Sequence, residues 1–290
     1  MTLSLRHNVW VQVLASNTFS SVEHQQQIDA HHEASATYWR DIYALEGIDA
    51  VICQQRRDLV LSLVDKLALT PGSQFLEVGC GAGVTAVDLA KRGNVVHALD
   101  TVSSMLDLTR EAALQAGVAE RVKTSLGDAH ALPFADNAFR LVLSMGVTTC
   151  LHSLDQTMRE MARVLEPGGY LIINAENRWR LNHLLDPPLF PALAPLRWKL
   201  RDAFGPAAKR PRLRMYSIRE FDTIVQAAGL KKLQGMTLGF GPFSLFNQKV
   251  LPETASVKLH NRLQKLADRN FPVLRSTGVQ YIVLAKKAAH

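Results

Sequence analysis

The stretch Phe75-Leu76-Glu77-Val78-Gly79-Cys80-Gly81-Ala82-Gly83 constrains this chain most, because a short apolar run ends in an acid and then in a loop with glycine at every second position. Such a run, followed by glycines and then by a helix-forming segment, is the opening of a dinucleotide-type α/β fold. The reading places a strand over 74–78 and a helix from Val84 to Arg92, with Leu89 and Ala90 facing inward. Glycines remove the side chains where a ligand has to approach the backbone. The third glycine arrives one residue earlier than in the pyrophosphate-binding G-x-G-x-x-G pattern, which favours a ligand without a pyrophosphate.

A second apolar run, Val95 to Leu99, ends in Asp100. A carboxylate at that place offers two acceptor oxygens to the two adjacent hydroxyls of a ribose, and the plainer alternative is an Asp that caps the next helix. On these residues, Glu77-Val78-Gly79-Cys80-Gly81-Ala82-Gly83 resembles motif I of the class I S-adenosylmethionine (SAM)-dependent methyltransferases. The resemblance implies that Gly79, Gly81 and Gly83 pass under the methionine part of the cofactor, that Glu77 helps to order the site, and that Asp100 takes the ribose. It also implies that Met105, in a Ser-Met-Leu passage, lies beside the adenine and that Asp128, at the end of a third strand (Val122 to Ser125), accepts from the adenine amino group. Thr101, Ala129 and Met145 complete the implied cofactor set. Thr101 or Ser103 is expected to N-cap the helix after Asp100.

The segment Leu132-Pro133-Phe134-Ala135-Asp136-Asn137-Ala138-Phe139 resembles the family's passage into a fourth strand, expected at Leu141 to Met145. Phe139-Arg140 departs from the usual Phe-Asp, at the strand's beginning and away from the cofactor end. The loop Gly146 to Asp155 then falls at the carboxyl edge of the sheet, where open α/β folds bind ligands. That makes His152 a candidate general base, with Glu176 and Tyr43 next; a pocket-wall or capping histidine is the plainer reading. A helix over 156–165 ends at Glu166-Pro167-Gly168-Gly169, a turn resembling the family's Pro-Gly-Gly signature before a fifth strand at Tyr170 to Asn174.

Charge is localised. The chain carries a net +7, and residues 178–219 hold ten basic side chains against two acids, leaving the remainder near neutral. This insertion contains Arg178-Trp179-Arg180 and Arg197-Trp198-Lys199-Leu200-Arg201, broken up by prolines. Arg178, Trp179, Arg197 and Arg201 are therefore candidate substrate-binding residues for an anionic or amphipathic acceptor, an isoprenoid diphosphate for example. The same mix also suits peripheral contact with an anionic membrane, or is simply a solvated basic face. No nucleic-acid-binding module is visible.

The rest is coarser. Residues 1–35 show no clear period and are expected to be an irregular arm, with His24, His31 and His32 facing solvent rather than binding metal; no metal is implied. Tyr38, Trp39, Ile42 and Tyr43 fall on one face of a helix, as a lid over the acceptor or as simple packing. A further helix is expected over Gln54 to Leu67. Ser217 with Glu220 forms a capping box for a helix that ends at Gly229, and Lys231 to Leu238 reads as a sixth strand. Gly239-Phe240-Gly241-Pro242-Phe243 is an aromatic turn in which Phe240 is a candidate acceptor wall; a helix near 254–269 and a last strand, Gln280 to Lys286, follow.

The resulting expectation is a Rossmann-like seven-stranded α/β methyltransferase sheet, mostly parallel with an antiparallel last strand and helical cap insertions. Its divisions are an arm and lid (1–70), a SAM-binding core (71–175), a basic cap (176–216) and a C-terminal part of the core (217–290) with an insertion near 244–275. Three scattered cysteines without metal or disulfide spacing fit a reducing, cytoplasmic setting. Val9 to Ala15 is too weak an apolar patch for a secretory signal, and no run is long enough to span a bilayer. The resemblance implies methyl transfer to a natural-product, quinone or isoprenoid-type small molecule; it leaves oligomerisation open. The alternatives are a nicotinamide-dependent oxidoreductase and a non-catalytic SAM-binding partner subunit.

Overall fold

The computed structural model describes residues 21–186, 189, 190, 192, 214–246 and 248–289. In chain order the main elements are α1 (Ser21–Asp41), α2 (Ile48–Lys66), β1 (Gln74–Val78), α3 (Val84–Lys91), β2 (Val95–Asp100), α4 (Ser103–Gln115), β3 (Val122–Leu126) and β4 (Phe139–Ser144). These are followed by α5 (Leu154–Val164), β5 (Leu165–Glu176), α6 (Leu181–Leu185), α7 (Ile218–Ala227) and β6 (Leu230–Leu238). A short hairpin, β7 (Ser244–Leu245) and β8 (Gln248–Lys249), then leads to α8 (Glu253–Asp268) and β9 (Gln280–Lys287).

Seven strands form one sheet in the order β3-β2-β1-β4-β5-β9-β6. β1, β2, β3, β4 and β5 pair in parallel, and β9 runs antiparallel to both β5 and β6. The last strand thus enters between two earlier ones instead of adding to an edge. β1 is central and covered on both faces. Phe75 packs with Val60, Leu63, Ala86 and Leu89 on one side, and Leu76 and Val78 pack with Met158, Phe221 and Val225 on the other. Each such fully buried side chain contributes about 1.5–3 kcal/mol, which is why this run reads so clearly as a strand. The strand order reverses between β1 and β4, so the crevice outside their carboxyl ends is the place the topology reserves for a ligand.

Several boundaries differ from the sequence expectation. β4 begins at Phe139, and β5 starts at Leu165, so that the Pro-Gly-Gly residues lie within the strand's span as a register shift against β4. Arg140 sits at the amino end of β4 and pairs with Glu166 at 3.0 Å, away from the crevice. The helix after Asp100 has Val102 at its N-cap position and no side-chain capping hydrogen bond, so neither Thr101 nor Ser103 caps it. The capping box is present: Glu220 N–H donates to Ser217 Oγ at 3.2 Å and Ser217 N–H to Glu220 Oε2 at 3.3 Å.

The N-terminal arm is the main correction. From Ser21 onward it is helical. Among the described residues of α1, Ile28 and Ala36 are the buried apolar ones, too few to make an apolar stripe with a helical period. Besides the packing of Ala36 and Trp39 against Val102 and Met105, polar contacts to α4 and the loop before it hold the helix. Thr101 Oγ1 donates to Asp29 at 2.7 Å and Ser104 Oγ to Glu33 at 2.9 Å. α2 begins at Ile48 and runs unbroken into the segment expected over 54–67.

Candidate active site

The glycine loop turns at the carboxyl end of β1 and leads into α3. Gly83 N-caps α3 at φ +75, and a Cβ there would come within 2.6 Å of Thr109. At Gly79, a Cβ would run into the Val147 side chain. Gly81 N–H donates to Asp100 Oδ2 at 2.9 Å, and Thr109 Oγ1 donates to Gly81 O at 2.9 Å. The loop is therefore pinned from both β2 and α4, and a Cβ at Gly81 would meet nothing within 4 Å.

Glu77 is 4% exposed, and its Oε2 is buried with no hydrogen-bond partner. Burial first, and the neighbouring Asp100 second, push its carboxyl up to about 8, although Ala86 N–H and the Thr85 hydroxyl bond to it. Asp100 is raised by burial, against the pull of backbone N–H groups that include Gly81 and Val102. Asp128 behaves differently. Burial works against its ionisation, but the backbone and ring of His130 bond to it at 2.9 and 2.6 Å and hold it below the ordinary range. Nothing in the sequence pattern singles out His130 itself, which is 4% exposed; the Gly-Asp-Ala-His run after β3 is the available signal.

These groups line one end of a cavity of about 740 Å³. Glu77, Gly79, Gly81, Asp100, Thr101, Met105, Asp128, Ala129 and Met145, read together from the sequence, all contribute to its wall. Gly83 is not on the lining, although it holds the turn. At the other end, Tyr38, Trp39, Ile42 and Tyr43 from the end of α1 and the turn after it meet Ile52, Cys53 and Arg56 from α2. Glu176 at the end of β5, Arg180 beyond it and Pro242 also line this cavity.

Other expected residues lie elsewhere. His152 is not on the cavity lining: its ring stacks on His130 with centroids 3.5 Å apart, and its carbonyl accepts from Arg214 Nη1 at 2.7 Å. Arg178 reaches the start of α7, pairing with Glu220 at 3.0 Å, and Trp179 is exposed. Both are off the lining because residue 177 bridges to 216 and turns the chain away from the crevice. Arg180, next in sequence, turns inward to Glu176 at 3.0 Å. Phe240 is 1% exposed in a separate apolar cluster with Phe243 and Leu274, and only Gly241 and Pro242 of that turn reach the cavity. Arg197 and Arg201 lie outside the described residues.

His32 corrects the expectation of solvent-facing histidines. It lines the cavity, its Nε2 is 3.6 Å from Cys150 Sγ, and burial first, then His31, lower its pKa to about 4. Cys150 is pushed up to about 11 by burial, so thiol and imidazole are both neutral at pH 7.

Residues 76–173 match the family described as Methyltransferase domain. Methyltransferase GfsG of Streptomyces halstedii is 33% identical over 47% of this chain and 48% of its own length. The demethylmenaquinone methyltransferase of Corynebacterium efficiens is 38% identical over 38% of this chain and 44% of its own. Over residues 76–173 the chain is similar to methyltransferase domains of the class I SAM-dependent type. Among solved structures, magnesium protoporphyrin IX methyltransferase from Synechocystis PCC 6803, with bound SAH, aligns over 91% of this chain and 100% of its own at a TM-score of 0.62 and 14% identity, a likeness of fold.

The chain spans about half the length of the curated relatives it matches, and the family match runs from β1 through the glycine loop into β5. The alternative nicotinamide reading is not favoured. SAM is the cofactor of this methyltransferase class, and the cavity fits it. A buried acceptor oxygen on Glu77 without a donor suits an ammonium group, the cradle at Gly81 leaves room for a ligand, and Asp100 keeps lone pairs for paired hydroxyls.

Proposed function

We propose that this chain transfers the methyl group of SAM to a small, largely apolar acceptor of the natural-product, quinone or isoprenoid type. One observation carries the reading: a single cavity runs from Asp100 and the glycine loop to the chamber of Tyr38, Trp39, Ile42 and Tyr43, so donor and acceptor share one enclosed space. Glu77 and the Gly79–Gly81 backbone would hold the amino-acid end of the cofactor, Asp100 the ribose, and Met105, Asp128 and Ala129 the adenine.

When bound, SAM supplies an electrophilic methyl on a positive sulfur. The acceptor's nucleophilic atom bonds to that methyl carbon as the carbon–sulfur bond breaks, and the bonding electron pair stays on sulfur. The contribution of the protein is placement and exclusion of water, since such a displacement is fast once the reacting atoms are held in line. The aromatic residues at the end of α1 form the acceptor wall and the water barrier. Glu176, which accepts from Gln280 at 3.2 Å and from Arg180, and Tyr43 are the polar side chains on that wall expected to take a proton from the acceptor.

The test is transfer of labelled methyl from SAM to a panel of quinols, phenols, prenyl diphosphates and their neutral alcohols. Label on at least one class, lost with Asp100→Ala while the melting temperature is kept, supports the reading. Tight SAH binding with no transfer to any acceptor favours the non-catalytic subunit instead.

A further inference from the structure

α8 packs one side into the protein, where Ser256, His260, Gln264 and Ala267 are buried. Its opposite side carries Arg262, Lys265, Leu266 and Arg269 at helical spacing, all of them exposed. From Lys258 to Arg275 the chain has five basic side chains, Lys258, Arg262, Lys265, Arg269 and Arg275, against one acid, Asp268. The other acid of the helix, Glu253, stands at its far end and is held by Lys249 at 2.8 Å. Among the described residues, no ion pair takes up any of the five.

How the helix ends decides what stands beside that charge. Asn270, at φ +59, closes it: Asn270 N–H donates to Ala267 O at 2.9 Å and Phe271 N–H to Leu266 O at 3.0 Å, the paired bonds of a Schellman stop. Phe271 is thereby brought back to the turn that carries Leu266. Val273 then takes φ +71, ψ −57, a γ-turn conformation strained for a β-branched residue, with Leu274 N–H donating to Pro272 O at 2.9 Å. Leu274 goes inward to Phe240, Phe243 and Ala267, and Phe271, Pro272 and Val273 are left outside. Phe271 is 53% exposed and Val273 62%.

The backbone of this tip needs little from a solvent. Phe271 O accepts from Arg275 N–H at 3.1 Å, and Val273 O accepts from Ser276 N–H and from the hydroxyls of Ser276 and Thr277, each at 3.0 Å. With the bond to Pro272 O, all three carbonyls are satisfied within the turn while the apolar side chains point away. A medium that offers no hydrogen-bond partners requires that arrangement, and a protein partner does not. Val279 and Gln280, which follow the tip, line the cavity, so the tip leads into the carboxyl edge of the sheet where ligands are expected.

We propose that this tip and the basic stripe of α8 form a surface that docks on an anionic lipid bilayer. Leu266, Phe271, Pro272 and Val273 enter the boundary between headgroups and acyl chains, and Arg262, Lys265, Arg269 and Arg275 meet the lipid phosphates. An apolar wedge beside a basic patch supplies the two signals that stable attachment to a membrane takes. The proposal goes beyond the methyltransferase reading and does not depend on it.

The test is flotation of the full chain with vesicles of phosphatidylcholine alone, or of phosphatidylcholine and phosphatidylglycerol in equal parts, at low and high salt. The expected result is binding to the mixed vesicles that weakens as salt rises, with little or none to phosphatidylcholine. Each basic residue near an anionic surface contributes about fivefold to partition, so Lys265→Gln with Arg269→Gln should lower it about 25-fold. Glycine adopts the φ of Val273 without strain, so Phe271→Ser with Val273→Gly should lower partition about tenfold or more. Val273→Gly alone should weaken it too, with the melting temperature kept or raised, which separates a lost contact from a lost fold. No binding to the mixed vesicles, or binding that either double variant leaves unchanged, overturns the proposal. Binding lost with Arg197→Gln and Arg201→Gln alone also overturns it, because the contact then belongs to the basic insertion. So does a dimer of the full chain that Val273→Gly dissolves, which makes the surface an interface between copies. Failure of the chain to bind SAH would sink the methyltransferase reading and leave the vesicle result intact.

Discussion

Replacing Glu77 by glutamine should stabilise the empty protein and weaken cofactor binding at the same time. Glu77 is 4% exposed, has an oxygen with no partner, and holds its proton up to about 8 against an ordinary value of 4.5. For an acid raised in this way, the folded state binds the proton more tightly than the unfolded chain does. The stability it confers is full below about pH 4.5 and is lost as pH rises through 8. Each pH unit in that window costs about 1.4 kcal/mol, so by pH 7 the wild-type chain has given up roughly 3 kcal/mol that the Glu77→Gln variant, whose amide does not titrate, retains. Urea unfolding of both proteins between pH 5 and 9 without ligand should show a gap in favour of Glu77→Gln that widens up to about pH 8 and then levels. If Glu77 faces the cofactor ammonium, wild-type affinity for SAH should rise over the same range, while the variant binds more weakly and without that dependence. A stability gap that stays flat from pH 5 to pH 8 would refute the reasoning, because no proton would then be held at this site.

Asp100→Asn keeps the side-chain volume but turns one acceptor oxygen into a donor facing Gly81 N–H, and SAH affinity should drop by about 10- to 100-fold with a smaller change in melting temperature. Gly83→Ala places a Cβ 2.6 Å from Thr109 at φ +75; urea unfolding should report a loss of about 1–3 kcal/mol. Met158→Ala empties a fully buried position on α5 under the sheet, and the cost should be about 2–5 kcal/mol by the same assay, with SAH affinity within about twofold of wild type.

What could be read from the sequence was what local chemistry dictates. The β1 run, the glycine loop, the second strand ending in Asp100 and the capping box at Ser217 each depend on neighbours a few residues apart, and all four stand where the pattern put them. The residues singled out around the glycine loop share one cavity wall, because the parallel sheet brings the ends of its strands to one edge. The acceptor half did not follow. Arg178 and Arg180 are close neighbours in an evenly basic run, and only the bridge between residues 177 and 216 sends one outward to Glu220 and the other inward to Glu176. His152 occupies the right loop, but its ring is taken up by the stack on His130, a partner more than twenty residues earlier.

Two features were hidden for a deeper reason. α1 is a polar helix whose order comes from contacts such as Thr101 with Asp29, so its own residues carry no periodic signal. Arg56 sits among Gln54, Gln55 and Arg57, on what reads as a solvated helix face. Period and spacing report which side of an element is apolar; they do not report that a second helix and the edge of a sheet will close over a polar side. The sequence by itself determined the strand, the loop and the acids that would meet a cofactor, because these are set by backbone geometry within a few residues. Only the tertiary structure decided which charges were carried into the cavity, because burial is a property of what packs against a residue, and those partners are far away in the chain.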